Sequence, residues 1–146
     1  MKYEDIYNLS KKYSPPKVNL RQAQILDDYG NDTYAKLLVN HDSPDKVKRE
    51  EFDYYGWVYP FMEPEDLLFY LYAMVIEYEN NKELDSIDSF MYSMDREINK
   101  LQKSLTEGEK EMLIKAFKVI WDVGNDDWAD WYQCKNLQKL IGISLQ

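Results

Sequence analysis

The sequence predicts an all-α fold: a single helical domain over residues 1–146, with six or seven helices and an aromatic-rich connector around residues 52–63. Three observations lead there. Apolar residues recur at steps of three and four through the C-terminal two thirds, the period of a helix that buries one face. Helix-start signals stand ahead of those stripes at Pro64, Asp85 and Thr106. Alternation, the mark of a strand, is confined to Tyr55–Phe61, where Pro60 argues against a central strand because it lacks an amide donor.

In the N-terminal third, Tyr3, Ile6, Leu9 and Tyr13 space as one face of a short helix. Ser14-Pro15-Pro16 ends it, since proline cannot continue a helical ladder. Residues 19–28 and 32–40 suit two further helices. Ser43-Pro44 reads as N-cap and first residue of a helix reaching Phe52. The connector then carries Tyr55, Trp57, Tyr59 and Phe61 in extended backbone over the core.

Pro64 opens the central helix, and Glu63, Glu65 and Asp66 complement the positive end of its dipole. Leu67, Leu68, Leu71, Met74, Val75 and Tyr78 follow at helical spacing, while Phe69, Ala73 and Ile76 cover other sides. A helix apolar over most of its circumference belongs at the centre. Asp85 is the expected N-cap of the next helix, whose Ile87, Phe90, Met91, Met94, Ile98 and Leu101 make the clearest stripe in the chain. Thr106 and Glu109 stand three apart as a capping box for a helix that Gly124 stops. A last helix over about residues 126–140 carries an inward stripe of Trp128, Trp131, Cys134, Leu137 and Ile141.

Composition removes many chemistries. Lys and Arg number 18 against 27 Asp and Glu, a net charge of -9, which argues against direct nucleic-acid binding. One cysteine, Cys134, forms no intrachain disulfide and no four-thiolate zinc site; burial as a small hydrophobe is its expected role. The longest apolar stretch, 67–76, is far short of the ~20 residues of a membrane span. The opening MKYEDIYNLSKKY has no apolar run of signal type, so a cytoplasmic protein without membrane contact is expected. Five scattered glycines build no phosphate loop, and no cofactor is expected.

His41, the only histidine, stands beside Asp42 in a predicted loop and is expected at the surface. No Gly-x-Ser-x-Gly turn accompanies it. Asp122, Asp126, Asp127 and Asp130 concentrate carboxylates around the start of the last helix. Gly124 comes too early among them for a calcium loop. Two readings stay open: acids favoured by a helix dipole, or a weak metal site serving a carboxylate- or metal-dependent small enzyme.

The charge is uneven. Residues 1–50 carry 9 basic and 8 acidic side chains, residues 51–100 carry 3 and 12, and the remainder 6 and 7. The whole imbalance therefore falls on the segment where aromatic and acidic residues interleave. Tyr and Trp are common binding anchors, and neighbouring carboxylates suit Arg or Lys on a partner. The expected partner-binding residues are Asp53, Tyr54, Tyr55, Trp57, Glu63, Glu65 and Asp66, with Glu77 and Glu79 extending the patch. Trp121 and Trp131 fit inward stripes; for Tyr54, Tyr55, Trp57 and Tyr59 the core and surface readings both stay open.

Between Gly56 and Trp121 the chain resembles a family of small uncharacterised bacterial helical proteins. The resemblance rests on Gly56-Trp57, on Phe61-Met62-Glu63-Pro64-Glu65-Asp66-Leu67-Leu68-Phe69-Tyr70-Leu71, and on Ser104-Leu105-Thr106-Glu107-Gly108-Glu109. Where that family often has proline after the tyrosine-leucine of the central helix, this chain has Tyr72 and Ala73. The resemblance implies helices and no particular activity. By type alone the chain is similar to acidic immunity proteins of toxin–immunity pairs. The expected function is an acidic protein-binding inhibitor, an immunity protein neutralising a basic, nuclease-type bacterial toxin domain. The alternatives are the small enzyme above and a DNA mimic or other regulatory binding protein, for which the 18 basic residues are a poor fit.

Overall fold

The computed structural model describes residues 1–125 and 131–143. Among them are seven helices and no strand: α1 Glu4–Lys11, α2 Leu20–Asp27, α3 Arg49–Tyr54, α4 Pro64–Asn80, α5 Ile87–Gln102, α6 Glu107–Val123 and α7 Lys135–Ile141. Single 3₁₀ turns at Pro44–Lys46 and Tyr59–Phe61 flank α3.

Helix α4 is the axis of the fold. From Leu67 to Val75 every residue is buried, and α1, α5 and α6 pack around it. Full burial of one such Leu or Phe side chain is worth about 1.5–3 kcal/mol, so this stretch dominates the core. Its polar groups act as tethers for the first third of the chain. The Ser10 hydroxyl donates to the Leu68 carbonyl at 2.7 Å and accepts the Tyr72 amide at 3.1 Å, docking α1. The Tyr70 hydroxyl accepts the Leu20 amide at 3.0 Å, holding the start of α2. The buried Asp66 carboxylate accepts the Lys17 amide at 2.8 Å and reaches back to the Glu63 amide at 3.3 Å.

Local signals set several helix ends as expected. Thr106 and Glu109 bond each other's amides at 3.1 and 3.0 Å. Asn19 and Gln22 do the same for α2 at 2.9 and 2.8 Å. After α2 the chain turns through Gly30 at φ +90°, a left-handed conformation that favours glycine. The N-terminus of α7 is capped from another element: the Asp95 carboxylate on α5 accepts the Leu137 amide at 2.9 Å.

Four boundaries differ from expectation. Residues 32–40 form no helix. Asn31 accepts the Thr33 amide at 2.9 Å in a local turn, and donors from elsewhere take the carbonyls a helix would use. Arg21 binds the Ala35 carbonyl at 3.0 Å, and the Tyr55 hydroxyl binds that of Leu37 at 2.5 Å. The expected helix from Pro44 to Phe52 is broken at Val47, which is extended and buried; the Glu51 carboxylate accepts the Lys48 amide at 2.7 Å and restarts the helix as α3. The connector is not extended, because α3 runs to Tyr54 and a 3₁₀ turn holds Tyr59–Phe61. Helix α5 takes Ser86 rather than Asp85 as its N-cap.

The C-terminal helix begins only at Lys135; of the residues expected to precede it, 126–130 lie outside the described ones. Trp131, Cys134, Leu137 and Ile141 are buried as predicted, and so is Trp121. The Trp121 and Trp131 rings lie 5.7 Å apart, and the Trp131 indole N–H donates to Asp88 at 2.8 Å. Gly124 caps α6 where no side chain fits: a Cβ there would stand 2.5 Å from the Trp131 ring and closer still to the Tyr78 hydroxyl.

Gly124→Ala is therefore expected to destabilise the fold by about 1–3 kcal/mol, through overpacking against a fully buried indole. A urea melt reads this, and an unchanged midpoint contradicts it. A second expectation concerns acid. Asp5, Glu79 and Glu109 are held below the usual carboxylate range, in each case first by a lysine: Lys115, Lys2 and Lys12. A lowered folded-state pKa gives stability that is full above the unfolded value and is lost as pH falls through the folded one. Stability should thus drop below about pH 4. Asp5→Asn with Glu109→Gln should flatten that fall in urea melts across pH, and an unaltered slope would count against those two pairs.

Candidate functional site

The segment from α3 into α4 sorts its residues by helical phase. Phe52 and Tyr55, three apart, face the core, which leaves Asp53 and Tyr54 outward. Beyond α3, Trp57 is 68% exposed, Tyr59 is fully buried and Phe61 is 41% exposed. Tyr54, 46% exposed, accepts the Lys36 amide through its hydroxyl at 3.3 Å. Glu63 and Glu65 are exposed at the start of α4. The fold decides what the sequence left open for the four connector aromatics: Tyr54 and Trp57 are outside, Tyr55 and Tyr59 inside.

At the other end of α4, Arg49 from α3 acts as a clamp. Its guanidinium donates to the Glu77 and Glu83 carbonyls, both at 2.9 Å, and lies 3.9 Å from the Glu77 carboxylate. A cation beside the last carbonyls of a helix is favoured by the dipole, and here it adds a second donor to the Glu77 carbonyl, which already accepts the Asn81 amide at 3.0 Å. Burial pushes the Glu77 carboxyl up; Arg49 opposes this and the nearby Asp53 charge adds to it. Beside the clamp a cleft of about 500 Å³ opens between Trp57 and the α4–α5 loop. Glu83, Leu84, Asp85 and Asp88 line one side, and Tyr78 and Trp131 stand further in.

The nine expected binding residues do not form one patch. Asp53, Trp57 and Glu77 come together near the cleft. Glu63 and Glu65 sit at the opposite end of α4, about 18 Å away at 1.5 Å per residue. Tyr55 and Asp66 are buried and present nothing to a partner: the Tyr55 hydroxyl holds the Leu37 carbonyl, and Asp66 holds backbone amides. Glu79 turns to the N-terminus, where it pairs with Lys2 and accepts the Tyr3 hydroxyl. That bond, with burial, pushes the Tyr3 pKa up to about 12. Sequence reasoning missed Glu83, Asp85 and Asp88 as cleft residues. Their only signal was membership of the acidic middle third.

His41 is buried, contrary to its expected place at the surface. Its Nε2 lies 2.9 Å from the Glu51 carboxylate and its Nδ1 2.8 Å from the Tyr70 hydroxyl. With Nε2–H donating to the carboxylate, Nδ1 accepts the Tyr70 O–H, and the Tyr70 oxygen accepts the Leu20 amide. The chain links α2, α3, α4 and the 32–42 segment. All its members are buried, so it ties elements together and meets no substrate. Burial pushes the Cys134 thiol up to about 12, which leaves it inert as a nucleophile. Asp122 is exposed on α6, while Asp126, Asp127 and Asp130 lie outside the described residues. Among the described residues no three His, Cys, Asp or Glu side chains assemble to hold a metal.

Tyr70→Phe removes the hydroxyl at the centre of this chain and strands the Leu20 amide and His41 Nδ1. The expected loss is about 1–3 kcal/mol in a denaturant melt, the cost of buried groups left unsatisfied. A loss below about 0.5 kcal/mol would show that the contacts contribute nothing net.

No described helix is long and apolar enough to cross a membrane. No curated protein and no solved structure matches the chain. A family model does match, over residues 7–139, and that span reaches from α1 into α7 and contains the Gly56–Trp121 stretch. The chain belongs to the family of unknown function DUF6714.

Proposed function

We propose that this protein is a binding module that docks a basic protein partner through the α3–α4 face and inhibits it. The observation that carries the reading is that the outward rings Tyr54 and Trp57 accompany the outward carboxylate Asp53 at the end of α3, and that Trp57 lines a cleft together with Glu83 and Asp85. Half-exposed aromatic rings supply desolvated contact area, and carboxylates around them attract and orient Lys and Arg. The net charge of -9, carried by residues 51–100, accelerates encounter with an oppositely charged surface.

The sharpest form of the reading is an immunity protein for a nuclease-type toxin. A nuclease grips phosphates with a basic cleft, and an acidic, aromatic surface is complementary to it. Direct binding then blocks the cleft without chemistry, so the inhibitor needs no catalytic group of its own.

Titration calorimetry against the product of the neighbouring gene tests the proposal. A one-to-one complex is expected, weakening steeply between low and moderate salt. Trp57→Ala should cost about 2 kcal/mol of binding, the scale of a hot-spot ring, with no change in the thermal melt. Absence of a complex at low salt would sink the proposal.

A further inference from the structure

We infer that the cleft between Trp57 and the α4–α5 loop seats an arginine side chain of the basic partner, an inference that rests on the docking reading above. The cleft combines the three surfaces a guanidinium uses. One wall is the indole of Trp57, 68% exposed and not stacked by any ring among the described residues. The lining also carries Glu83 and Asp85, exposed carboxylates without an ion-pair partner among the described residues. Leu84 and Ile87 also line the cleft and offer apolar surface for the methylenes of a long side chain. The lining also contains Lys82, so three carboxylates, with Asp88, face one ammonium, and the site remains acidic.

The rim is built before any partner arrives. Glu83 is held at both backbone groups: its amide donates to the Asn81 side chain at 3.0 Å, and its carbonyl accepts Arg49 at 2.9 Å. The Ile87 amide closes the following turn onto the Leu84 carbonyl at 3.1 Å. A loop fixed in this way pays little ordering entropy on binding.

Arginine fits this arrangement better than lysine. Its flat guanidinium stacks on an indole face while its N–H edge forks to carboxylates, and it is less tightly hydrated than an ammonium. The cleft volume of about 500 Å³ lies in the range of ligand-sized pockets, ample for one such side chain.

Hexa-arginine and hexa-lysine peptides of equal charge, titrated at low salt into the full chain, test this by ¹H–¹⁵N spectroscopy. The Trp57 indole signal is assigned by its loss in Trp57→Ala. Hexa-arginine is expected to move that signal and to bind about tenfold more tightly than hexa-lysine. Glu83→Gln with Asp85→Asn should abolish the difference without shifting the thermal melt. Equal affinities, or an arginine preference that leaves the Trp57 signal in place, overturn the arginine site while the docking reading stands. Binding of neither peptide overturns both.

Discussion

A helix buried on every side must have all its polar neighbours satisfied from within the protein. Helix α4 imposes that constraint here. Water cannot reach the stretch from Leu67 to Val75, so whatever packs on it has to bring hydrogen-bond partners. Ser10, Leu20 and Lys17 each meet a polar group of α4, and the irregular first third of the chain is thereby ordered around a helical core. The His41–Glu51–Tyr70 chain extends the same logic outward to α3.

The surface follows from this arrangement. Because Phe52 and Tyr55 are drawn inward to α4 and its satellites, helical phase turns Asp53 and Tyr54 out, and Trp57 emerges beyond the end of α3. Where α4 ends at Asn80, Arg49 bridges the Glu77 and Glu83 carbonyls and so fixes the loop that carries Glu83 to the end of the helix. The cleft is thus a by-product of closing the core. Arg49 directs its hydrogen bonds to carbonyl oxygens there, and Glu83 and Asp85 are exposed beside it.

How much of this was legible depends on the range of the interaction. Capping boxes at Thr106 and the proline start of α4 are contained within a few residues and were readable. So was the burial of Trp121 and Trp131, which fell on apolar stripes. The misread elements were those decided at long range. Residues 32–40 have helix-compatible composition, but Arg21 and Tyr55 claim their carbonyls. His41 looked solvated beside Asp42, yet its partners lie 10 and 29 residues away. Asp66 and Glu79 looked like free surface charge and are each committed to the fold.

By itself the sequence determined that the chain is helical, which helix is central, and that its negative charge belongs to the middle third. Those properties depend on periodicity and composition, which are local and additive. Only the tertiary structure decided which carboxylates and rings share a face, because helical phase and the paths of the loops set that. It separated Glu63 and Glu65 from Glu77 by the length of α4, buried Tyr55 and Asp66, and brought Trp57 to Glu83 and Asp85. A binding surface depends on the geometry between elements, and spacing along the chain does not encode it.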